Sequence, residues 1–225
     1  MLRPVRSVAL IGPDGAGKSS IAREVARRLG APARYLYMGV NLEETNLMLP
    51  TTRLALAIKG ARGGGSQMTA DWSGVSTRAK RRPRLVQEAY AGLRLIAWLA
   101  EEWFRVLVAR IYNWRGYLVV FDRHFLFDYY PIPAQSRPGQ LLATRLHGTL
   151  LRRFYPRPDT VILLDAPADV LHGRKFEQSA AILDRRRRDY LSLSNVVPDF
   201  NVVDAARPLP AVIDEITALI EERLR

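Results

Sequence analysis

Short runs of apolar residues alternate along the chain with segments in which apolar residues recur every three or four positions. The runs predict five β-strands, at Ser7–Ile11, Arg34–Met38, Tyr117–Phe121, Thr160–Leu164 and the shorter Asn201–Val203. The first, third and fourth are almost continuously apolar, as in strands of a parallel sheet covered on both faces. The helical periodicity predicts helices at Ser19–Leu29, Arg84–Trp114, Gln140–Phe154, Ala168–Arg174, Ala180–Leu193 and Leu209–Leu224.

Strands that alternate with helices predict an α/β fold in three layers, with a doubly wound, parallel, five-stranded sheet. A length of 225 residues favours one elaborated domain spanning 1–225. Lys59–Arg84 does not fit a packed core, because it contains three consecutive glycines and a cluster of basic residues around Pro83. We predict a mobile insertion there, either a solvated loop or a flap that attracts phosphate.

The amino-acid composition limits which ligands and metal sites the protein can have. The 34 basic residues exceed the 22 acidic ones, which gives a net charge of +12. This excess suggests that the protein binds anions such as phosphates, nucleotides or nucleic acid. The absence of cysteine excludes disulfides, thiolate metal sites and a cysteine nucleophile. Because the three histidines lie far apart in the sequence, a histidine-rich metal site is disfavoured, which leaves oxygen-ligated metals such as Mg²⁺. No signal-peptide pattern begins the chain, and the most apolar long segment, Leu85–Ile111, carries several charges. We therefore expect a cytoplasmic protein without a membrane span.

One motif points directly to nucleotide chemistry. Gly12–Ser19, Gly-Pro-Asp-Gly-Ala-Gly-Lys-Ser, matches the Walker A phosphate loop and lies between a predicted strand and a predicted helix. In such a loop backbone N–H groups surround the phosphates, the lysine reaches the β- and γ-phosphates, and the serine binds Mg²⁺. The predicted ATP-binding residues are Gly12, Asp14, Gly15, Ala16, Gly17, Lys18, Ser19 and Ser20.

A second group follows the third strand. Asp122 and Arg123 come at its carboxyl end, where the ligand crevice of an open α/β sheet lies. The carboxylate suits a magnesium ion or the acceptor, and the guanidinium suits bidentate binding of an anion. We predict Ser19 and Asp122 as the magnesium ligands, and Lys18, Asp122 and Arg123 as catalytic residues.

These motifs together resemble the thymidylate kinase family of P-loop nucleoside monophosphate kinases. The resemblance includes the phosphate loop, Asp122-Arg123, the turn Leu164–Pro167 and the segment Asn201–Ala205. It implies ATP-dependent phosphorylation of a nucleoside monophosphate, with dTMP as the family default. It also implies a lid region at 173–188, with Arg174 as a catalytic, ATP-binding lid arginine, and adenine-side contacts from Asp204 and Ala205. A homodimer through the long helix Arg84–Trp114 would fit the family.

The acceptor remains open at this point. Met38–Thr45 lacks the Arg-Glu-Pro-Gly-Gly-Thr-like segment that thymidylate kinases carry after the second strand, and the family's Asp-Arg-Tyr is Asp122-Arg123-His124 here. One alternative is a kinase that phosphorylates a hydroxyl of a nucleoside, sugar or other metabolite, with Glu43, Glu44 or Asp128 as base. Another is a nucleic-acid-associated P-loop ATPase, which is disfavoured because no apolar run ends in two acidic residues.

The consecutive arginines Arg185–Arg188 lie at the end of the predicted lid region. At 100° per residue they spread around the predicted helix, so they cannot all face one ligand. We expect one or two of them to point at phosphate and the others to face water.

Overall fold

The computed structural model describes residues 5–39, 45, 47–61, 84–129, 142–176 and 178–224. Its strands are β1 (Ser7–Ile11), β2 (Ala33–Tyr37), β3 (Leu118–Asp122), β4 (Thr160–Asp165) and β5 (Phe200–Asp204). The helices are α1 (Lys18–Leu29), α2 (Pro50–Ala61), α3 (Arg84–Trp114), α4 (Phe125–Tyr129), α5 (Leu142–Phe154), α6 (Ala168–Arg174), α7 (Ala180–Leu191) and α8 (Leu209–Leu224), with a short 3₁₀ helix at Ser192–Asn195.

The five strands form one parallel sheet in the order β2-β3-β1-β4-β5. The central strand β1 pairs with β3 on one side and with β4 on the other, so the loop after β1 lies between the ends of both. This confirms the predicted doubly wound fold. The carboxyl ends of β1, β3 and β4 are where such a sheet binds ligands.

Alternate residues along each strand supply two apolar cores, one on each face of the sheet. On the first face Leu10 and Val120 pack with α1, α6, α7 and α8. On the second face Ile11 and Phe121 pack with α3, α4 and the start of the 3₁₀ helix. Because α3 lies on this second face, its buried side chains reach the layer beneath the ends of β2 and β3.

Two helices were not predicted. In α2, Pro50 takes the first helical position, which tolerates proline, and the Glu101 carboxylate of α3 accepts hydrogen bonds from Leu49 N and Thr52 Oγ1. The start of α2 thus depends on a residue distant in sequence. The other unpredicted helix, α4, is a single short turn after β3.

The ends of the predicted insertion are helical, because Lys59–Ala61 end α2 and Arg84 begins α3, whereas 62–83 lie outside the described residues. Gln140, where one predicted helix started, also lies outside them; the helix begins at Leu142. Within the described ranges, no helix combines the length and apolar character needed to cross a bilayer. The predicted cytoplasmic location stays a prediction.

Candidate functional site

The phosphate loop connects β1 to α1, as predicted, and its glycines are required by its conformation. Gly12, Gly15 and Gly17 have φ angles of 148°, 88° and 82°, in the range that glycine adopts readily. A Cβ atom at Gly12 would lie 2.5 Å from Leu164 O of β4, and one at Gly15 would lie 2.6 Å from Leu171 O of α6. The loop is therefore held close against β4 and α6, with the N-terminus of α1 at its end.

Lys18 begins α1, one residue earlier than predicted, and its side chain is buried, with 4% exposed. Its Nζ donates a hydrogen bond to Pro13 O at 2.6 Å and lies 3.9 Å from Asp14 Oδ1. The ammonium group thus lies over its own loop, together with the N–H groups that open the helix. Ser19 is half-buried and Ser20 exposed in the same helical turn. This arrangement favours anions.

Asp14 connects the phosphate loop to two other parts of the chain. Its Oδ1 accepts a hydrogen bond from Arg123 Nη2 at 3.0 Å. Its Oδ2 accepts from Arg186 Nη1 at 2.8 Å and from Gln178 Nε2 at 3.0 Å. Burial alone would raise the pKa of Asp14, but the charges of Lys18, Arg123 and Arg186 and the Arg123 hydrogen bond outweigh it and lower the pKa to about 2. The carboxylate is therefore ionised and holds several cations at one point.

Asp122 is the last residue of β3 and is completely buried. Tyr35 donates its hydroxyl hydrogen to Asp122 Oδ2 at 2.8 Å, and burial together with this carboxylate raises the pKa of Tyr35. No hydrogen bond to Asp122 Oδ1 is present among the described residues. In strand register Asp122 lies beside Leu10, two residues before Gly12. The prediction that this carboxylate lies beside the phosphate loop is therefore consistent with the sheet geometry.

Arg123 has a φ angle of 65°, which is uncommon for a residue other than glycine. Its amide donates to Leu10 O at 3.0 Å, so the chain leaves the sheet here while still attached to β1. Its guanidinium reaches Asp14 across the crevice. Left-handed backbone outliers cluster at functional sites, and this one directs a cation toward the phosphate loop.

The oxygen donors proposed for magnesium suit that ion. Asp122 Oδ1 is a buried acceptor with a free lone pair in the described structure, and the Ser19 hydroxyl is half-buried in the first turn of α1. Among the residues that the structure describes, no three His, Asp or Glu side chains cluster closely enough to hold a metal by themselves. Mg²⁺ commonly takes one or two protein ligands and completes its shell with phosphates and water, so the Asp122 and Ser19 oxygens would be enough to hold it.

The arginines of the lid region separate into different environments. Arg174 donates to Ala205 O at 2.8 Å and to Ala206 O at 3.4 Å, so it contacts the loop after β5 that carries Asp204 and Ala205. In this structure it contacts the predicted adenine side. Among the described residues, Arg186 is the lid-region arginine that contacts the phosphate loop, through Asp14.

Arg187 donates two hydrogen bonds to Asp165 at the end of β4, at 2.6 and 2.8 Å. Arg188 pairs with Asp184 on the surface of α7 at 3.2 Å, and Arg185 is exposed. Two members of the run therefore contact carboxylates near the strand ends, and the other two lie on the surface of α7, so the four are spread around the helix as its geometry requires. That one or two of them bind phosphate stays a prediction. Two carboxylates at the carboxyl edge of the sheet bind these two arginines: Asp14 in the phosphate loop binds Arg186, and Asp165 at the end of β4 binds Arg187.

Several site residues were missed from the sequence. Gln178 contacts Asp14, and Tyr35 contacts Asp122. No local sequence motif indicates either contact. His124 replaces the family's tyrosine but is buried among Phe121, Phe127 and Tyr155, and burial lowers its pKa to about 3. It is therefore a neutral residue of the core.

Of the candidate bases, Glu43 and Glu44 lie outside the described residues. Asp128 lies on α4, but its side chain is likewise outside the description.

Comparison with known proteins adds to this geometry, although no protein-family model matches the chain. The chain is 27% identical to a "probable thymidylate kinase" of Thermococcus onnurineus, across 96% of this chain and 98% of that protein. It is 25% identical to the one of Thermococcus gammatolerans, across 96% of both. "Probable thymidylate kinase 1" of Saccharolobus solfataricus is 32% identical over 113 residues, 48% of this chain and 56% of that protein.

These likenesses extend through the middle of the chain, where the motifs are weakest. The chain is a kinase that resembles thymidylate kinases over nearly its full length. The resemblance predicted from its motifs is confirmed. Because the relatives are kinases, a kinase is favoured over the alternative of a nucleic-acid-associated ATPase. ATP is the phosphate donor that this class implies.

The fold of this kinase also matches a solved structure. Deoxyadenosine kinase from M. mycoides, with the products dCMP and dCDP bound, superposes with a TM-score of 0.52 over 96% of this chain and 99% of that one. The two sequences are 17% identical, so this likeness concerns the fold. The kinase thus has the architecture that its strand order indicates.

Proposed function

We propose that this kinase transfers the γ-phosphoryl group of ATP to the phosphate of a nucleoside monophosphate, with dTMP as the first acceptor to test. The observation that carries the proposal is the position of Arg123. Its guanidinium extends from the end of β3 to within 3.0 Å of Asp14 in the phosphate loop. A planar, charged fork at that place suits bidentate binding of an acceptor phosphate next to the donor phosphates.

The roles of the other residues follow from their positions. Gly12–Ser20 would surround the donor phosphates, with Lys18 on the transferring group. Ser19 and Asp122 would hold Mg²⁺, which when bound neutralises charge on the β- and γ-phosphates. An acceptor phosphate oxygen attacks the γ-phosphorus, a new P–O bond forms, and the bond to the β-phosphate oxygen breaks, releasing ADP. Little covalent chemistry is asked of the protein beyond placing both substrates in line.

The adenine base of the donor, ATP, would lie between the lid region and the loop after β5. Arg174 binds that loop through Ala205 O, beside Asp204. Arg186 and Gln178 contact Asp14 from the lid side. Arg186 and Gln178 therefore lie near enough to the phosphate loop to exchange the Asp14 carboxylate for a phosphate when nucleotide binds. We propose Arg186 in place of Arg174 as the cation on the transferring phosphoryl group.

The substitution Arg123→Lys tests the acceptor assignment, because lysine cannot reproduce the paired hydrogen bonds of a guanidinium. We expect kcat/KM for the nucleoside monophosphate to fall by about 10- to 150-fold, the equivalent of one charged hydrogen bond, with little change in the KM for ATP. Arg185→Lys, on the exposed side of α7, is the matched control. Steady-state kinetics with each substrate varied in turn gives both constants.

A second candidate, phosphorylation of a hydroxyl group, is favoured by the absence of the family's acceptor segment from Met38–Thr45. For an uncharged acceptor Arg123 has no phosphate to bind. Arg123→Lys would then lower kcat and leave the acceptor KM unchanged, and Ala at Glu43, Glu44 or Asp128 would be more damaging. A screen of nucleoside monophosphates against nucleosides and sugars, with ATP and Mg²⁺, separates the two functions.

A further inference from the structure

A charged pair is buried in α3 beneath the ends of β2 and β3. Arg105 has none of its surface exposed and Glu101, one turn earlier, has 2%. Arg105 Nη2 lies 3.5 Å from Glu101 Oε1, and burial lowers the pKa of Arg105 despite this carboxylate. Desolvating two charges is costly, and apolar residues in their place are often as stable. Stability alone therefore does not account for the pair.

The pair holds both ends of the connection between β2 and α2. Arg105 Nη1 donates a hydrogen bond to Gly39 O at 2.9 Å, two residues after β2 ends. Glu101 accepts from Leu49 N at 3.2 Å and from Thr52 Oγ1 at 3.1 Å, where α2 begins. Two side chains on one turn of a rigid helix thus fix where this connection leaves the sheet and where it re-enters a helix.

The Gly39 end of this connection supports Arg123. A Cβ atom built on Gly39 would lie 2.6 Å from Arg123 Cδ and 2.5 Å from Tyr37 Oη. The aliphatic part of Arg123 therefore passes directly over the Gly39 backbone, in space that only glycine leaves open. Because Arg105 fixes the Gly39 carbonyl, it also fixes the surface on which the Arg123 side chain lies.

We propose that Arg105 is a positioning residue for Arg123. Through Gly39 it holds the guanidinium of Arg123 in the crevice opposite the phosphate loop, and so sets the affinity for the phosphate of the acceptor. This inference rests on the proposed function in one respect, that the acceptor carries a phosphate. The contact through which Arg105 would act on Arg123 is its hydrogen bond to Gly39 O.

The kinetic test uses Gly39→Ala, with Gly92→Ala as the control. Gly92 lies in α3 with open space around its Cα, so alanine fits there. For Gly39→Ala we expect kcat/KM for the acceptor to fall by about 10- to 150-fold, as for a lost charged hydrogen bond. The KM for ATP and all constants of Gly92→Ala should stay at the wild-type values. An unchanged acceptor KM in folded Gly39→Ala, or an equal rise in both KM values, overturns the proposal.

A second variant covers the case in which Gly39→Ala does not fold. The double substitution Glu101→Met and Arg105→Met replaces the pair by apolar side chains that suit the buried site. If the pair acts as proposed, the acceptor KM of the folded double variant rises at least about tenfold, while its KM for ATP stays at the wild-type value. A folded double variant with the wild-type acceptor KM would show that the pair serves packing alone.

A third measurement does not depend on activity and separates this inference from the proposed function. Unfolding free energies are measured for the wild type, for Gly39→Ala, for Arg123→Ala and for the variant that combines Gly39→Ala with Arg123→Ala. The penalty of Gly39→Ala should be smaller when Arg123 is absent, because one of its two close contacts is gone. Strictly additive penalties overturn the positioning inference. Failure of every nucleoside monophosphate as substrate, with the coupling present, refutes only the proposed function.

Discussion

The substitution Asp14→Asn removes one negative charge from the phosphate loop and keeps the shape of the side chain. In the folded chain Asp14 binds Arg123, Arg186 and Gln178, and only 15% of its side chain is exposed. Asparagine offers a neutral acceptor to the same two guanidinium groups and leaves them beside Lys18 without a compensating charge. We therefore expect a less stable protein.

The size of the effect follows from the pKa of Asp14, which lies at about 2 instead of the ordinary 3.8. At about 1.4 kcal/mol per pH unit, this difference corresponds to about 2 kcal/mol of folding free energy at neutral pH. Because the folded pKa is the lower one, the contribution is complete above about pH 5 and is lost as the pH falls from there toward 2. The wild type and Asp14→Asn should therefore converge in acid.

Urea unfolding followed by circular dichroism, at several pH values between 7 and 2.5, measures this convergence. Glu24→Gln is the control, because hydrogen bonds from Arg27 and Arg28 also lower the pKa of Glu24 to about 2, but on the solvent-exposed surface of α1. Solvent screening should make its loss much smaller. Equal losses for the two variants, or an Asp14→Asn deficit that does not change between pH 7 and pH 3, would refute the reasoning.

Lys18→Met, which keeps the buried aliphatic volume, should abolish phosphoryl transfer and retain the helical circular dichroism spectrum; residual turnover near the wild-type rate would contradict the role of Lys18. The outward face of α3 exposes Leu93, Ile96, Trp103, Leu107 and Trp114, so we propose it as the homodimer contact. Leu107→Glu should convert a dimer into a monomer in sedimentation, and unaltered sedimentation would argue against this face.

The parts of the fold that depend on local sequence were predictable. The continuous apolar run of β1 and the glycines after it predicted the strand and loop, because local sterics decide both. The long helix that ends at Trp114 was predicted from its periodicity. In contrast, α2 was missed since its start is bound by Glu101, 52 residues from Leu49. A single-sequence pattern cannot reveal a cap provided by another helix.

The candidate site divides in the same way. Gly12–Ser19, Asp122 and Arg123 were found because a motif or a strand end marks them. For Arg186 the sequence indicated only the run of four arginines that contains it, because its partner Asp14 is 172 residues away. Tyr35 and Gln178 gave no signal. Polar residues that act through long-range pairing are recognisable only after the strands have been ordered.

The pairing of charges at the strand ends bears on how a phosphate would enter this site. Asp14 neutralises part of the charge of Arg123 and Arg186, and Asp165 holds Arg187 through two hydrogen bonds. These side chains are thus already ordered, so an arriving phosphate does not have to immobilise long, hydrated side chains. The phosphate would replace the carboxylate as the partner of guanidinium groups that are already in position. Because Arg123 is the one among them that also rests on Gly39, its position depends on α3 as well as on Asp14. In the arrangement that we propose, the acceptor side of the crevice therefore depends on a helix whose contributing residues carry no motif.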